Sequence, residues 1–203
     1  MTDQMKRRGK VLADDLSAHL RGRILSGEYQ PGDAITETGV AAEYGVARPS
    51  ARNALERLIF DGLLVRHAHA ALKVRIVEQS DVPELLSLLE FFERSAVKRI
   101  LENDYDLREL RKASSGSLPK FLHTLVVSCG SERLIQFHRQ TMFALLLAPG
   151  TSHQGETGEQ VNTLQLELTD GLFRMDREFV LESLATLWSV RTNDRIVADD
   201  FAI

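Results

Sequence analysis

Apolar residues in the first part of the chain recur with the period of a helix. Leu12, Leu16, Leu20, Ile24 and Leu25 fall at that spacing and Gly27 supplies a stop, which predicts a first helix over residues 12–26. Pro31-Gly32 then marks a turn, Thr36 or Thr38 offers an N-cap, and a short second helix runs to Tyr44. Gly45 ends it, Val46 plugs the turn into the core, and a third helix begins near Arg48 or Pro49 with Ala51, Ala54, Leu55, Leu58 and Ile59 as its apolar face. After Gly62, the stretch "LLVRHAHAALKVRIV" reads as two strands joined by a loop around Ala68–Ala71. Three helices followed by a hairpin is the order of a winged helix-turn-helix.

The pattern changes near residue 80. Asp81 caps a long helix expected to turn Leu85, Leu88, Leu89, Phe92, Ala96 and Ile100 inward. Further helices are expected at 105–113, 118–128, 131–148, 158–173 and 175–190, broken by "SSGS", Gly130 and "APGTSHQGETG". Nothing there alternates like a sheet. The predicted fold is therefore mainly α: a winged helix-turn-helix over residues 1–78, then an all-helical bundle over 79–203.

The third helix carries the candidate chemistry. Arg48 and Arg52 are four residues apart and project from one face, while Ala51, Ala54 and Leu55 pack backward and let the preceding helix approach closely. A guanidinium suits a phosphate or the O6/N7 edge of guanine. Ser50 and Asn53 add short hydrogen-bonding groups beside the arginines, and Thr38 stands at the start of the preceding helix. Two readings stand: a DNA-reading helix, in which the second helix of a helix-turn-helix enters the major groove, or an amphipathic helix with solvated arginines.

Composition narrows the classes. The net charge of −4 argues against nucleic acid only until the chain is divided: residues 1–80 carry +2 and residues 81–203 carry −6. Four basic residues from Lys6 to Lys10 form a possible phosphate-contacting arm, with solvated disorder as the alternative. The single cysteine, Cys129, excludes an intramolecular disulfide framework and sits among apolar neighbours. The polar, basic start lacks the apolar core of a signal peptide, and no run approaches the roughly 18 apolar residues of a membrane span, so a cytoplasmic protein is expected. No nucleophile elbow, phosphate-cradling glycine loop or paired metal motif is found, so an enzyme is not expected.

From Leu20 to Leu64, "LRGRILSGEYQPGDAITETGVAAEYGVARPSARNALERLIFDGLL" resembles the GntR-type bacterial transcription regulators, and within them the FadR-like branch whose ligand domain is all-helical. The family pattern is an Arg-x-x-Ile-x-x-Gly-x-x-x-Pro-Gly opening, a Gly-Val-Ser-Arg turn, and an Arg-Glu-Ala-Leu helix ending in Glu/Asp-Gly-Leu. The resemblance implies that Arg48 and Arg52 contact DNA, with Ala54, Leu55, Leu58, Gly62 and Leu63 at core or turn positions. Ala47 replaces the usual hydroxyl residue and Asn53 the usual glutamate, which weakens capping or alters the preferred sequence. In the wing, Ala70 and Ala71 stand where the family has a minor-groove residue and a glycine. His69 is then either a substitute minor-groove probe or a loop histidine without a role.

In the helical half the resemblance rests on "FLHTLVVSCGSERL" and the last two helices. It implies a dimerising bundle that binds a small effector, commonly over a metal held by one aspartate and three histidines. The corresponding positions are Leu118, Leu122, Gln165 and Leu187, and the family arginine that helps hold acidic effectors falls on Leu89. Neither metal nor cofactor is therefore expected. His123 is adjacent to one ligand position and should point elsewhere, while His138 and His153 have no acidic or histidine partner at ligand spacing. A pocket bounded by Leu89, Leu118, Leu122 and Leu187 either takes a hydrophobic ligand or has closed into core.

The function expected is a homodimer that binds double-stranded DNA at a palindromic operator, controlled by a hydrophobic or organic-acid effector and not associated with membrane. The alternative is a winged-helix interaction module that has lost DNA or effector binding.

Overall fold

The computed structural model describes residues 2–66, 71–103, 105–149 and 159–193. Helix α1 spans Thr2–Leu25, α2 Glu37–Tyr44 and α3 Arg48–Phe60; strands β1, β2 and β3 are Ala34–Ile35, Leu64–Arg66 and Leu72–Val74. After a 3-10 turn come α4 (Val82–Glu102), α5 (Arg108–Ala113), α6 (Leu118–Ser128), α7 (Glu132–Leu147), α8 (Glu159–Arg174) and α9 (Arg177–Asn193). The mainly α architecture, a winged helix-turn-helix followed by a helical domain, matches the sequence reading. The basic segment Lys6–Lys10 is the exception: it belongs to α1 rather than to a separate arm, in keeping with a stretch of good helix formers interrupted only by Gly9.

Capping chemistry sets the helix-turn-helix. The Thr36 hydroxyl accepts from the Gly39 N–H at 3.0 Å and starts α2. Gly45 ends α2 in the left-handed conformation at φ 61°, which an L side chain would strain, and the chain turns into α3 three residues later. The sheet is antiparallel throughout, in the order β1-β3-β2, with Ile35 opposite Leu72 and Leu64 opposite Val74. β1 has only two residues, too few to show an alternation in the sequence.

Two buried cores hold the chain together. The first contains Leu20, Ile24, Ile35, Val40, Ala51, Ala54, Leu55, Leu58, Leu63 and Val74, and also Leu89 of α4 and Met142–Ala148 at the end of α7. The second lies among α4, α5, α6, α8 and α9 around Phe121, Leu125, Leu168, Leu184 and Trp188. The helical half thus supplies part of the core beneath the winged helix. On α4 the buried face is Leu89, Glu93, Ala96, Val97 and Ile100, whereas Leu88 is 38% and Phe91 61% exposed. The expected inward face holds at Leu89, Ala96 and Ile100, with Leu85 and Phe92 partly buried; Leu88 is the exception, and Glu93 takes the centre of the buried stripe.

Candidate nucleic-acid interface

α3 stands on the first core through Ala51, Ala54, Leu55 and Leu58, all buried. Its opposite side presents Arg48, Arg52, Asn53 and Glu56 to solvent, with Ser50 half-buried at the first turn and Thr38 exposed on α2. Ala47 occupies the N-cap and provides no side-chain bond; Pro49 carries no N–H, and the Ser50 and Ala51 amides donate to the Ala47 carbonyl at 2.9 and 3.2 Å. Such an end, with its partial positive charge, favours an anion. Among the described residues Arg48 has no ion-pair partner.

Arg52 is held differently. Its Nε and Nη2 donate to the two oxygens of Glu37 at 2.9 and 3.0 Å, a planar fork-to-carboxylate pair that leaves Arg52 64% exposed. The Arg52 guanidinium keeps the Glu37 carboxyl below the usual carboxylate range, with smaller contributions from the charges of Arg66 and Arg48. Arg66, at the end of β2, pairs with Glu56 of α3, and Lys73 of β3 is exposed. Sequence reasoning missed Lys73, and also Glu37 and Arg66, which pair with residues 15 and 10 positions away along the chain. His69 lies outside the described residues, as does His153.

The far end of α3 is docked onto the helical half. Asp61, 2% exposed, accepts from Arg21 Nη2 of α1 at 2.8 Å and forms an ion pair with Arg139 Nη2 of α7 at 3.1 Å. Arg139 lies over the Phe60 ring at 5.8 Å, and the Gln140 amide donates to the Phe60 carbonyl at 2.5 Å. One carboxylate therefore joins the first helix, the reading helix and α7.

Next to this joint runs a buried polar chain. The Trp188 indole N–H donates to Glu93 Oε2 at 2.7 Å, and His138 Nε2 lies 3.1 Å from Glu93 Oε1. His138 Nδ1 is 3.4 Å from His123 Nδ1, the two rings stacking with centroids 5.6 Å apart. A proton on His138 Nε2, donated to Glu93, leaves Nδ1 as an acceptor for the N–H of His123. Burial, with help from His138 and Arg139, pushes the His123 imidazole down to about 4, so it is neutral at pH 7. Spacing within one helix gives His138 no acidic or histidine partner, but the fold brings it two; His123 faces His138, whereas the neighbouring Leu122 packs in the second core. The partners come from another helix, Glu93 being 45 residues from His138, and spacing within one helix cannot reveal that. Among the described residues no group of three His, Cys, Asp or Glu side chains is arranged to hold a metal.

The positions expected around an effector are divided. Leu89 lies in the first core, while Leu122 and Leu187 are fully packed in the second and Leu118 is partly buried against it. Gln165 is buried, with its amide placed to donate to the Ser114 and Gly116 carbonyls at 2.8 and 3.2 Å, so it closes the turn between α5 and α6.

Residues 12–74 match the model of the gntR family of bacterial regulatory proteins. The Nta operon transcriptional regulator of Aminobacter aminovorans is 35% identical over 74 residues, 36% of this chain and 35% of that protein. The HTH-type transcriptional regulator YdhC of Bacillus subtilis is 30% identical over 83 residues, 41% of this chain and 37% of its own length. The aligned stretch thus spans little more than a third of these relatives. Over the whole chain the fold is similar to E. coli McbR/YncC, with a TM-score of 0.62 at 19% identity, covering 90% of this chain and 95% of the other. It is also similar to Lar, described as controlling the Listeria monocytogenes agr system, with a TM-score of 0.55 at 18% identity and coverages of 88% and 93%.

Proposed function

With a gntR-family regulatory domain at residues 12–74 as the premise, we propose that the protein is a homodimeric transcription regulator that reads a palindromic operator in double-stranded DNA. The observation that carries this reading is α3. It is anchored by its alanine and leucine face, it carries exposed Arg48, Arg52 and Asn53, and its start brings the positive end of the helix dipole beside Arg48. Arg48 and Arg52 contact base edges or phosphate, Ser50, Asn53 and Thr38 position the helix, and His69 probes the minor groove from the wing. Glu37 holds Arg52 extended before DNA arrives and yields it to guanine or phosphate on binding.

The helical half is assigned to the FadR-like branch, and the whole-chain likeness in fold to McbR/YncC supports that assignment. Its Leu118, Leu122, Gln165 and Leu187 leave no ligand set for the branch's metal, so any effector in the bundle is a hydrophobic or organic-acid molecule bound without metal or cofactor. Dimerisation is supported by an aromatic cluster on α4 and α7. Phe92 and Phe137 stack with centroids 6.4 Å apart, Phe91 packs edge-on to Phe92, and Phe91 and Phe137 are 61% and 49% exposed. Two half-sites add their free energies where one winged helix binds only modestly.

The test is selection of binding sequences from random duplex DNA with the purified protein, followed by titrations at several salt concentrations. A palindrome with half-sites about one helical turn apart supports the reading. Failure to bind any duplex at low salt overturns it in favour of an interaction module.

A further inference from the structure

The joint between the reading helix and the helical half encloses a cavity of about 380 Å³, bounded by Arg21 of α1, Phe60 and Asp61 at the end of α3, His123 of α6, and Arg139 and Phe143 of α7. Its charges do not balance. Arg21 and Arg139 share the single carboxylate of Asp61. Arg57 and Asp14, also on the wall, form their own pair. Neutral His123 adds nothing at pH 7. One positive charge is left over.

The donors are unbalanced in the same place. Arg21 Nε and Arg139 Nε are both buried and meet no acceptor, although the Nη2 of each guanidinium is bound to Asp61. Two guanidiniums on the wall of one cavity that share a single carboxylate form the complement of one further anion. The remaining walls are Ala18, Phe60, Phe143 and Ser17, whose hydroxyl donates to the Asp14 carbonyl. The Phe143 ring lies 5.6 Å from the Arg21 guanidinium, and Phe60, 50% exposed, stands where the cavity meets solvent.

We propose that this junction is a binding site for a small monocarboxylate with an apolar body. The carboxylate pairs with the Arg21 and Arg139 guanidiniums, and the body lies along Phe60 and Phe143. Because its walls come from α1, α3, α6 and α7, an occupant ties the winged helix to the helical half. The site is separate from the leucine-lined region of the bundle, and it stands whether or not α3 reads DNA. The volume suits a molecule of benzoate or hexanoate size.

Calorimetric titration of the full chain with benzoate and with hexanoate tests the site, with benzamide and hexanamide as uncharged counterparts. Saturable binding of at least one acid, about tenfold or more weaker for its amide, is expected. Arg139→Gln removes one donor and the excess charge, and Ala18→Leu fills the cavity from α1 while leaving every charge in place. Each variant, with its helical circular dichroism retained, should weaken the acid about tenfold or more. Should Arg139→Gln fail to fold, Ala18→Leu decides. The proposal is overturned if neither acid binds saturably at millimolar concentration, if the amide binds as well as the acid, or if the folded variants bind as the parent does.

Discussion

Asp61→Asn isolates the joint that holds the reading helix. The carboxylate is 2% exposed, accepts a hydrogen bond from Arg21 and is ion-paired with Arg139, the two side chains being 15% and 34% exposed. An asparagine of nearly the same shape keeps one acceptor oxygen but turns an NH₂ donor toward a guanidinium, leaving two cations without a counter-charge. Breaking a fully buried ion pair costs about 3–5 kcal/mol. Arg139 is a third exposed and recovers part of this from water, so about 2 kcal/mol is expected, within the range for a charged hydrogen bond. For a chain of this size that lowers the melting temperature by about 4–8 °C.

Urea unfolding followed by two probes measures the effect. Trp188 is the only tryptophan and lies in the second core, so its fluorescence reports on the bundle, while circular dichroism at 222 nm reports on all helices. Asp61 sits where α3 meets α1 and α7, so the loss should be larger in the circular dichroism transition than in the fluorescence transition. Arg139→Gln should cost less than Asp61→Asn, since Arg21 still holds the carboxylate. A loss below about 0.5 kcal/mol, the usual range for a surface substitution, would refute the claim that Asp61 clamps the two halves.

Three other outcomes are expected. Arg52→Ala should weaken binding to the selected operator by about 1–3 kcal/mol and relax preference at one base position if Arg52 reads guanine; an equal loss on every sequence with a shallower salt dependence assigns it to phosphate. Phe91→Glu places a charge in the exposed aromatic cluster and should shift sedimentation toward monomer while leaving the helical content unchanged; an unaltered dimer moves the interface elsewhere. The His123 imidazole is pushed down to about 4 in the folded chain against roughly 6.5 when unfolded. The unfolded chain therefore binds the proton first, and this contribution is complete above pH 6.5 and lost as pH falls toward 4, by at most about 1.4 kcal/mol per pH unit. The difference in stability between the parent and His123→Asn should change with pH in that window and be flat above it.

Much of the winged helix was legible because its signals are local. The alanines and leucines of α3 repeat at helical spacing over 13 residues, Gly45 marks the turn before them, and the outward direction of Arg48 and Arg52 follows from the inward direction of Ala51, Ala54 and Leu55. The misreadings share a cause. On α4, Leu88 looks a better core residue than Glu93, but Glu93 is buried because Trp188, 95 residues later, and His138, 45 residues later, satisfy its oxygens. The Arg52 fork on Glu37 and the Asp61 bridge to Arg139 likewise join residues 15 and 78 apart, distances over which no periodicity carries information. Burial of a charge is decided by partners, and partners are assigned by the tertiary fold.

These long-range contacts converge on one helix. His138 joins the polar chain of the second core, the next two residues, Arg139 and Gln140, grip the end of α3, and Met142–Ala148 complete the core beneath the winged helix. Successive residues on a helix are fixed relative to one another, so a change of partner at His138 that moves α7 moves the grip on Asp61 with it. α3 has 13 residues and is about 20 Å long at about 1.5 Å per residue, with the grip at one end and Arg48 at the other. A tilt of about 10° about Asp61 would carry Arg48 about 3.4 Å, the spacing of one base pair. A rearrangement too small to disturb either core would thus displace Arg48 by that spacing. Under the proposed function, the ion-paired joint at Asp61 is sufficient to carry a change in the helical half to the DNA-facing end of α3.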